Sequence, residues 1–178
     1  VDAFDSDSRL DFIIGSSHLV NGDDPYYPEF WEYSDVKTAI LSYYESIIDN
    51  LNTCHNFDVY GHIDYIARYI PKDRISEYKE KDFYDILDAI LHTIITNGKG
   101  IELNTAGLRY STAQTNPSPF ILRRYRELGG EIITVGSDAH APEYLAYSFD
   151  RIPVILKEAG FRYSTDFRAR KPEFKKLY

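Results

Sequence analysis

Three of the five histidines in this chain follow short apolar runs. Asp11-Phe12-Ile13-Ile14-Gly15-Ser16 leads to His18, and Phe57-Asp58-Val59-Tyr60-Gly61 leads to His62. Glu131-Ile132-Ile133-Thr134-Val135-Gly136 leads to Asp138 and His140. Imidazole and carboxylate together suit a borderline divalent cation. The runs read as β-strands, which puts these groups at strand C-terminal ends. In a parallel α/β sheet or barrel those ends share one face, where such folds build active sites. The chemistry indicated is that of a metal site assembled from several strand ends.

Asp138 and His140 are two residues apart, so extended backbone would project both to one side. A strand-to-loop turn with Asp138 as a helix cap is the alternative. Gly136 and Ala139 would let the backbone approach closely. His18 and His62 are either ligands or hydrogen-bonded loop residues. Asp64 is open between ligand, orienting partner of an imidazole and helix cap. Arg68 and Arg109, each in a loop after a strand, are candidate anion clamps, because guanidinium binds phosphate bidentately and stays charged. A surface salt bridge is the alternative for each. Glu102, within Gly100-Ile101-Glu102-Leu103-Asn104, either faces a barrel interior or is a structural carboxylate. Asn21 to Pro28 form a rigid aromatic loop near His18 that is either a pocket wall or rim packing. His55 and His92 lack a strand-end context.

The elements that must position these groups alternate strand and helix. After a strand at Phe12–Gly15, Ser34 can cap a helix carrying Val36, Ile40, Tyr43, Tyr44, Ile47, Ile48 and Leu51 at the 3.6 period. A strand at Phe57–Gly61 follows. A second helix covers about Lys81 to Asn97, with Gly98 as its stop. Then come a strand at Ile101–Asn104, a helix from Pro119 to Gly129-Gly130, a strand at Ile132–Gly136 and a helix from Ile152 to Ala159. Phe161-Arg162-Tyr163 is a candidate further strand, and the Lys171-Pro172 tail is expected to be irregular. Such alternation implies a parallel sheet. A closed (β/α) barrel takes about 250 residues, so four strand–helix units suggest an open sheet or part of a barrel.

The 178 residues are 43% hydrophobic and 27% charged, enough for one globular domain. A net charge of −8 argues against a nucleic-acid surface. No apolar run approaches the roughly 20 residues of a membrane span. The start, Val1-Asp2-Ala3-Phe4-Asp5, does not read as a signal peptide. The single cysteine, Cys54, cannot form an internal disulfide, which suits a cytoplasmic setting. The chain has no methionine, as expected of a piece of a longer polypeptide.

Five ordered motifs carry a family resemblance: Asp11 to His18, Asp24-Pro25-Tyr26-Tyr27-Pro28, Asp58 to Tyr65, Glu102 to Arg109, and Gly136-Ser137-Asp138-Ala139-His140. Together they resemble the polymerase and histidinol phosphatase (PHP) superfamily, in its histidinol-phosphatase branch, and Arg170-Lys171-Pro172 fits as well. The resemblance implies a distorted (β/α)7 TIM-like barrel with two to three divalent metals (zinc, iron or manganese). It implies hydrolysis of L-histidinol phosphate to L-histidinol and phosphate, in histidine biosynthesis. His18, His62, Asp138 and His140 match metal ligands, Arg68 and Arg109 match phosphate-gripping positions, and Asp138 and His140 are the expected catalytic pair. The family pattern begins with a His-x-His strand, which this chain lacks. Residues 1–178 are therefore expected to be a single PHP domain without its N-terminal strands, the remainder being supplied by the same protein. The expected partner is a small phosphate ester, with neither nucleic acid nor membrane. Two other functions remain open: a phosphoesterase of another small ester or nucleotide, and an incomplete barrel that only binds.

Overall fold

The computed structural model describes residues 7, 9–110 and 112–177. The acidic start read above, Val1 to Asp5, lies outside them. The chain order is β1 (Ile14–Gly15), α1 (Val36–Thr53), β2 (Val59–Tyr60), α2 (Tyr84–Thr96), β3 (Gly100–Asn104), α3 (Pro119–Glu127), β4 (Ile133–Gly136), α4 (Ile152–Glu158), β5 (Tyr163–Arg168) and β6 (Lys171–Lys176). Strands β1 to β4 form one parallel sheet in the order 1-2-3-4. Spatial order follows chain order, without the reversal that marks a doubly wound sheet. This is an α/β fold with a parallel sheet, as the alternating pattern predicts.

The helices form where apolar spacing allows one face to be buried. In α1, Val36, Ala39, Ile40, Tyr43, Tyr44, Ile47 and Leu51 are buried, and in α2 the buried residues are Leu87, Ile90, Leu91 and Ile94. Every residue of β3 is buried, as expected of a strand covered on both faces. The cap of α1 is Asp35 rather than Ser34. The Asp35 carboxylate accepts from the Thr38 N–H at 2.9 Å and from the Thr38 hydroxyl at 2.8 Å. A carboxylate also favours the positive end of a helix dipole, so it outcompetes its neighbour. No helix among the described residues is long and apolar enough to cross a membrane.

The tail expected to be irregular is instead β6, paired antiparallel with β5. All six β6 residues are exposed, so no burial periodicity marked them in the sequence. The turn between the two strands uses Ala169 and Arg170, both at positive φ (48° and 63°). Asn-Gly is the usual choice there, because a Cβ is disfavoured in that region. Tertiary contacts offset the strain. The Ala169 N–H donates to Asp11 Oδ1 at 2.7 Å and the Arg170 N–H to the Asp11 carbonyl at 3.0 Å. Arg170 Nε donates to Asp58 Oδ2 at 2.6 Å, and the same oxygen accepts from the Ile13 N–H at 2.8 Å. The hairpin is thereby fastened to the segments that enter β1 and β2.

Asp58→Ala should therefore remove about 2–4 kcal/mol of unfolding free energy, because it strands both a guanidinium and a backbone N–H. Arg170→Ala should cost less, since Arg170 is the more exposed partner. Urea denaturation of the two variants measures that order, and equal losses would contradict it.

Candidate active site

The C-terminal end of β1 is held by a buried polar clasp. The Ser17 hydroxyl shares a 2.5 Å hydrogen bond with the Tyr60 hydroxyl and accepts from Asn50 Nδ2 at 2.7 Å. The Tyr43 hydroxyl donates to the Ser17 carbonyl at 3.1 Å. Helix α1 and strand β2 thus fix the residue immediately before His18. The His18 and His62 rings meet edge to face with centroids 5.0 Å apart, and each lies 4.9 Å from the Tyr65 ring. Burial lowers the pKa of His18. Burial, with the nearby charges of Arg68 and His18, brings His62 down to about 3. Both imidazoles are therefore held in the neutral form that donates a lone pair to a metal. His62 Nδ1 is buried without a hydrogen-bond partner.

Asp138 does not sit in extended backbone. Its φ is +46°, so a two-residue alternation does not place His140. A direct contact does: His140 Nε2 lies 3.2 Å from Asp138 Oδ1. The other carboxylate oxygen accepts from Arg68 Nη1 at 3.1 Å. Burial pushes the Asp138 carboxyl up, but hydrogen bonding and charge from Arg68, with His62 and His140 adding, hold it below the usual range. His62 is the second of the four expected ligands at positive φ, 25°. Strained non-glycine backbone of this kind collects at functional sites.

Arg68 is almost wholly buried, which excludes the surface salt bridge considered for it. Its Nε donates to Asn116 Oδ1 at 2.8 Å, and its guanidinium carbon lies 5.1 Å from the Tyr65 ring and 5.3 Å from the Tyr110 ring. Burial opposes its charge, yet the Asp138 hydrogen bond and charge raise its pKa on balance. Nη2 has no partner. Behind it, Asn116 Nδ2 donates to Asp64 Oδ1 at 2.6 Å, and the Ser118 N–H donates to Asp64 Oδ2 at 2.8 Å. Asp64 is fully buried, and that burial pushes its carboxyl up to about 6 despite the two donors. Its contacts make it the anchor of the Asn116–Ser118 turn. Sequence reasoning missed Asn116, whose only local signal was the turn-forming Asn-Pro dipeptide.

Arg109 reaches the same face from the 3₁₀ turn Thr105–Arg109. Its Nη2 lies 3.4 Å from the Asp138 carbonyl, and the Tyr144 ring is 4.0 Å from its guanidinium carbon. Glu102 lies beneath the site. It is buried, accepts from Asn104 Nδ2 at 3.2 Å, and is held up in pKa by burial. A Cβ on Gly136 would fall 2.1 Å from Glu102 Oε1, and one on Gly61 would fall 3.3 Å from Oε2. Gly136 therefore clears space for a carboxylate, whereas at Gly61 the nearer obstacle is Ile14 Cγ2, 2.9 Å from such a Cβ. The aromatic loop lines a cavity of about 310 Å³ with Ala39 and Ser42 of α1. His55, in the loop between α1 and β2, and His92, on α2, are exposed.

The structure thus gathers His18, His62, Arg68, Arg109, Asp138 and His140 at one end of the sheet. Among the described residues, no three His, Cys, Asp or Glu side chains converge closely enough to form a metal cluster.

Comparison with known proteins gives a consistent family. The PHP domain matches residues 3–106. A probable histidinol-phosphatase of Clostridium acetobutylicum is 34% identical over 142 residues, covering 79% of this chain and 54% of that protein. The histidinol-phosphatase of Lactococcus lactis is 28% identical over 174 residues, covering 96% and 63%. The crystal structure of histidinol phosphate phosphatase from Lactococcus lactis, complexed with zinc, L-histidinol and phosphate, superposes with a TM-score of 0.82 at 27% identity. That match covers 97% of this chain and 65% of the other. The chain spans only about half the length of the clostridial relative.

Gly136→Ala should destabilise the fold by about 1–3 kcal/mol, because Glu102 is too constrained to move aside freely. A double variant with Glu102→Ala should lose less than the sum of the two single variants. Strict additivity in chemical denaturation would rule out the steric coupling.

Proposed function

The chain belongs to the PHP domain family, and on that premise we propose that it forms part of a metal-dependent phosphomonoesterase that hydrolyses L-histidinol phosphate. The observation that carries this reading is the approach of His18 to His62 beside an Asp138 carboxylate held by Arg68 and a guanidinium from Arg109. Neutral imidazoles, an ionised carboxylate and cationic clamps are the groups that phosphate ester hydrolysis needs. The relatives named histidinol-phosphatase, and the zinc, L-histidinol and phosphate in the Lactococcus structure, support the choice of substrate.

The architecture we assign is the distorted PHP barrel, with β1 to β4 as consecutive staves. Its remaining strands, and further metal donors, come from polypeptide outside these 178 residues. The shorter span of the chain against its relatives supports this.

The donor set fits a divalent cation, because His62 Nδ1 is buried without a partner and Asp138 is kept ionised. His18, His62, Asp138 and His140 would supply part of the donor set for two to three ions of zinc, iron or manganese. Such ions supply Lewis acidity toward phosphate oxygens and toward an attacking water. Arg109 grips the phosphoryl group and offsets charge as it develops. Arg68 orients Asp138 and adds positive charge beneath the same anion. His140, whose side chain is 86% exposed, could also orient the attacking water.

The test is hydrolysis of L-histidinol phosphate against a panel of small phosphate esters and nucleotides, using the protein that carries these residues. Asp138→Asn and His62→Ala should each lower metal content by at least one ion and turnover by about 100-fold or more. Arg109→Ala should raise KM about tenfold with metal content unchanged. Unaltered metal content in both ligand variants, by elemental analysis, would overturn the assignment. Preference for another ester would redirect the substrate.

A further inference from the structure

Two tyrosines from one short segment converge on Arg109. Its guanidinium carbon lies 4.0 Å from the Tyr144 ring centroid and 5.7 Å from that of Tyr147. The segment is built for this. Pro142–Tyr144 is a 3₁₀ turn, and the Leu145 N–H closes on the Pro142 carbonyl at 3.2 Å. The Tyr147 N–H then closes on the Tyr144 carbonyl at 3.2 Å. Ala146 and Ser148, on either side of Tyr147, are both non-glycine residues at positive φ (53° and 55°). Backbone in that region is disfavoured for residues that carry a Cβ. Leu145 and Phe149, by contrast, remain exposed.

The stack occupies the face of the guanidinium and leaves its edge uncommitted. A guanidinium carries five N–H donors. Of these, Nη2 makes one long contact, 3.4 Å to the Asp138 carbonyl, and Nε is buried with no acceptor. Face-on packing against an aromatic ring fixes the plane of an arginine without using its in-plane donors. With Nε buried, the donors on Nη1 and Nη2 are the ones that can bind two oxygens of a phosphoryl group side by side. An arginine held in this way gives up little side-chain freedom when an oxyanion arrives.

We propose that Tyr144 is a positioning residue of the anion site: its ring backs Arg109 and sets the plane in which the guanidinium meets a phosphoryl group. This rests on the phosphomonoesterase reading above. Tyr147 is the second, more distant wall. Tyr144 touches neither substrate nor metal in this role and acts only through Arg109.

The experiment measures inorganic phosphate affinity of the metal-loaded protein by calorimetry, together with KM and kcat for the ester. Tyr144→Leu should weaken phosphate about 3- to 10-fold and raise KM by a similar factor, with kcat within about twofold. Tyr144→Phe, which keeps the ring, should restore both to within about twofold of the parent. If the Leu variant does not fold, Tyr144→Gln carries the same expectation. Arg109→Ala separates the two layers of the argument. Phosphate binding that falls in Arg109→Ala but keeps its parent value in folded Tyr144→Leu overturns the role of the tyrosine alone. Phosphate binding that Arg109→Ala leaves unchanged overturns the anion-site reading, and the proposal with it.

Discussion

Arg68 carries its charge almost entirely out of water, and such a charge is tolerable only with partners that replace the lost hydration. Those partners come from widely separated parts of the chain. Asp138 follows β4, Asn116 precedes α3, and Tyr65 and Tyr110 lie in the turns after β2 and β3. Satisfying one guanidinium therefore fixes the relative placement of three strand ends. The Asn116 amide can serve only one way round, with its oxygen toward Arg68 and its nitrogen toward Asp64. A buried network of this kind either closes completely or destabilises what it touches. Here it leaves one donor, Arg68 Nη2, without an acceptor.

The same pressure acts at the other strand ends. The Ser17 clasp satisfies a buried hydroxyl and a buried carbonyl, and in doing so holds the approach to His18. Glu102 brings a carboxylate into the interior beside Gly136, where a side chain would collide with it. Polar groups are buried at this end of the sheet, and those around Ser17 and Arg68 also hold the approach to His18 and the Asp138 carboxylate. At the opposite end, Asp11 and Asp58 perform a purely structural service by receiving the hairpin turn. Both ends thus spend carboxylates on order, but only one end gathers imidazoles.

Much of this was legible in the chain. Apolar periodicity located α1 and α2, because burial of one helix face constrains every third or fourth residue, while Pro119 and Gly129-Gly130 bounded α3 and Gly160 ended α4. The apolar runs located β1 to β4, and their order along the chain implied parallel pairing. His18, His62, Asp138 and His140 stood out because each falls just past such a run. Less was legible where exposure or strain governs. Nothing about Lys171 to Lys176 distinguishes a strand from a tail, since none of those residues is buried. Ala169 and Arg170 give no turn signal, because their left-handed backbone is stabilised from outside the hairpin.

By itself the sequence determined the alternation of elements, the family and the set of groups available for chemistry, all of which depend on local spacing and residue type. Only the tertiary structure decided how those groups meet. It showed Arg68 paired with Asp138 in the interior instead of in a surface salt bridge, Asp64 anchoring a turn 52 residues away through Asn116, and Arg109 stacked on Tyr144. Asp138 and His140 meet through a direct contact, because a positive φ abolishes the alternation that their spacing suggested. These outcomes depend on which buried charge finds which partner across the fold. That pairing is a property of distances between chain segments, and no local pattern of residues encodes it.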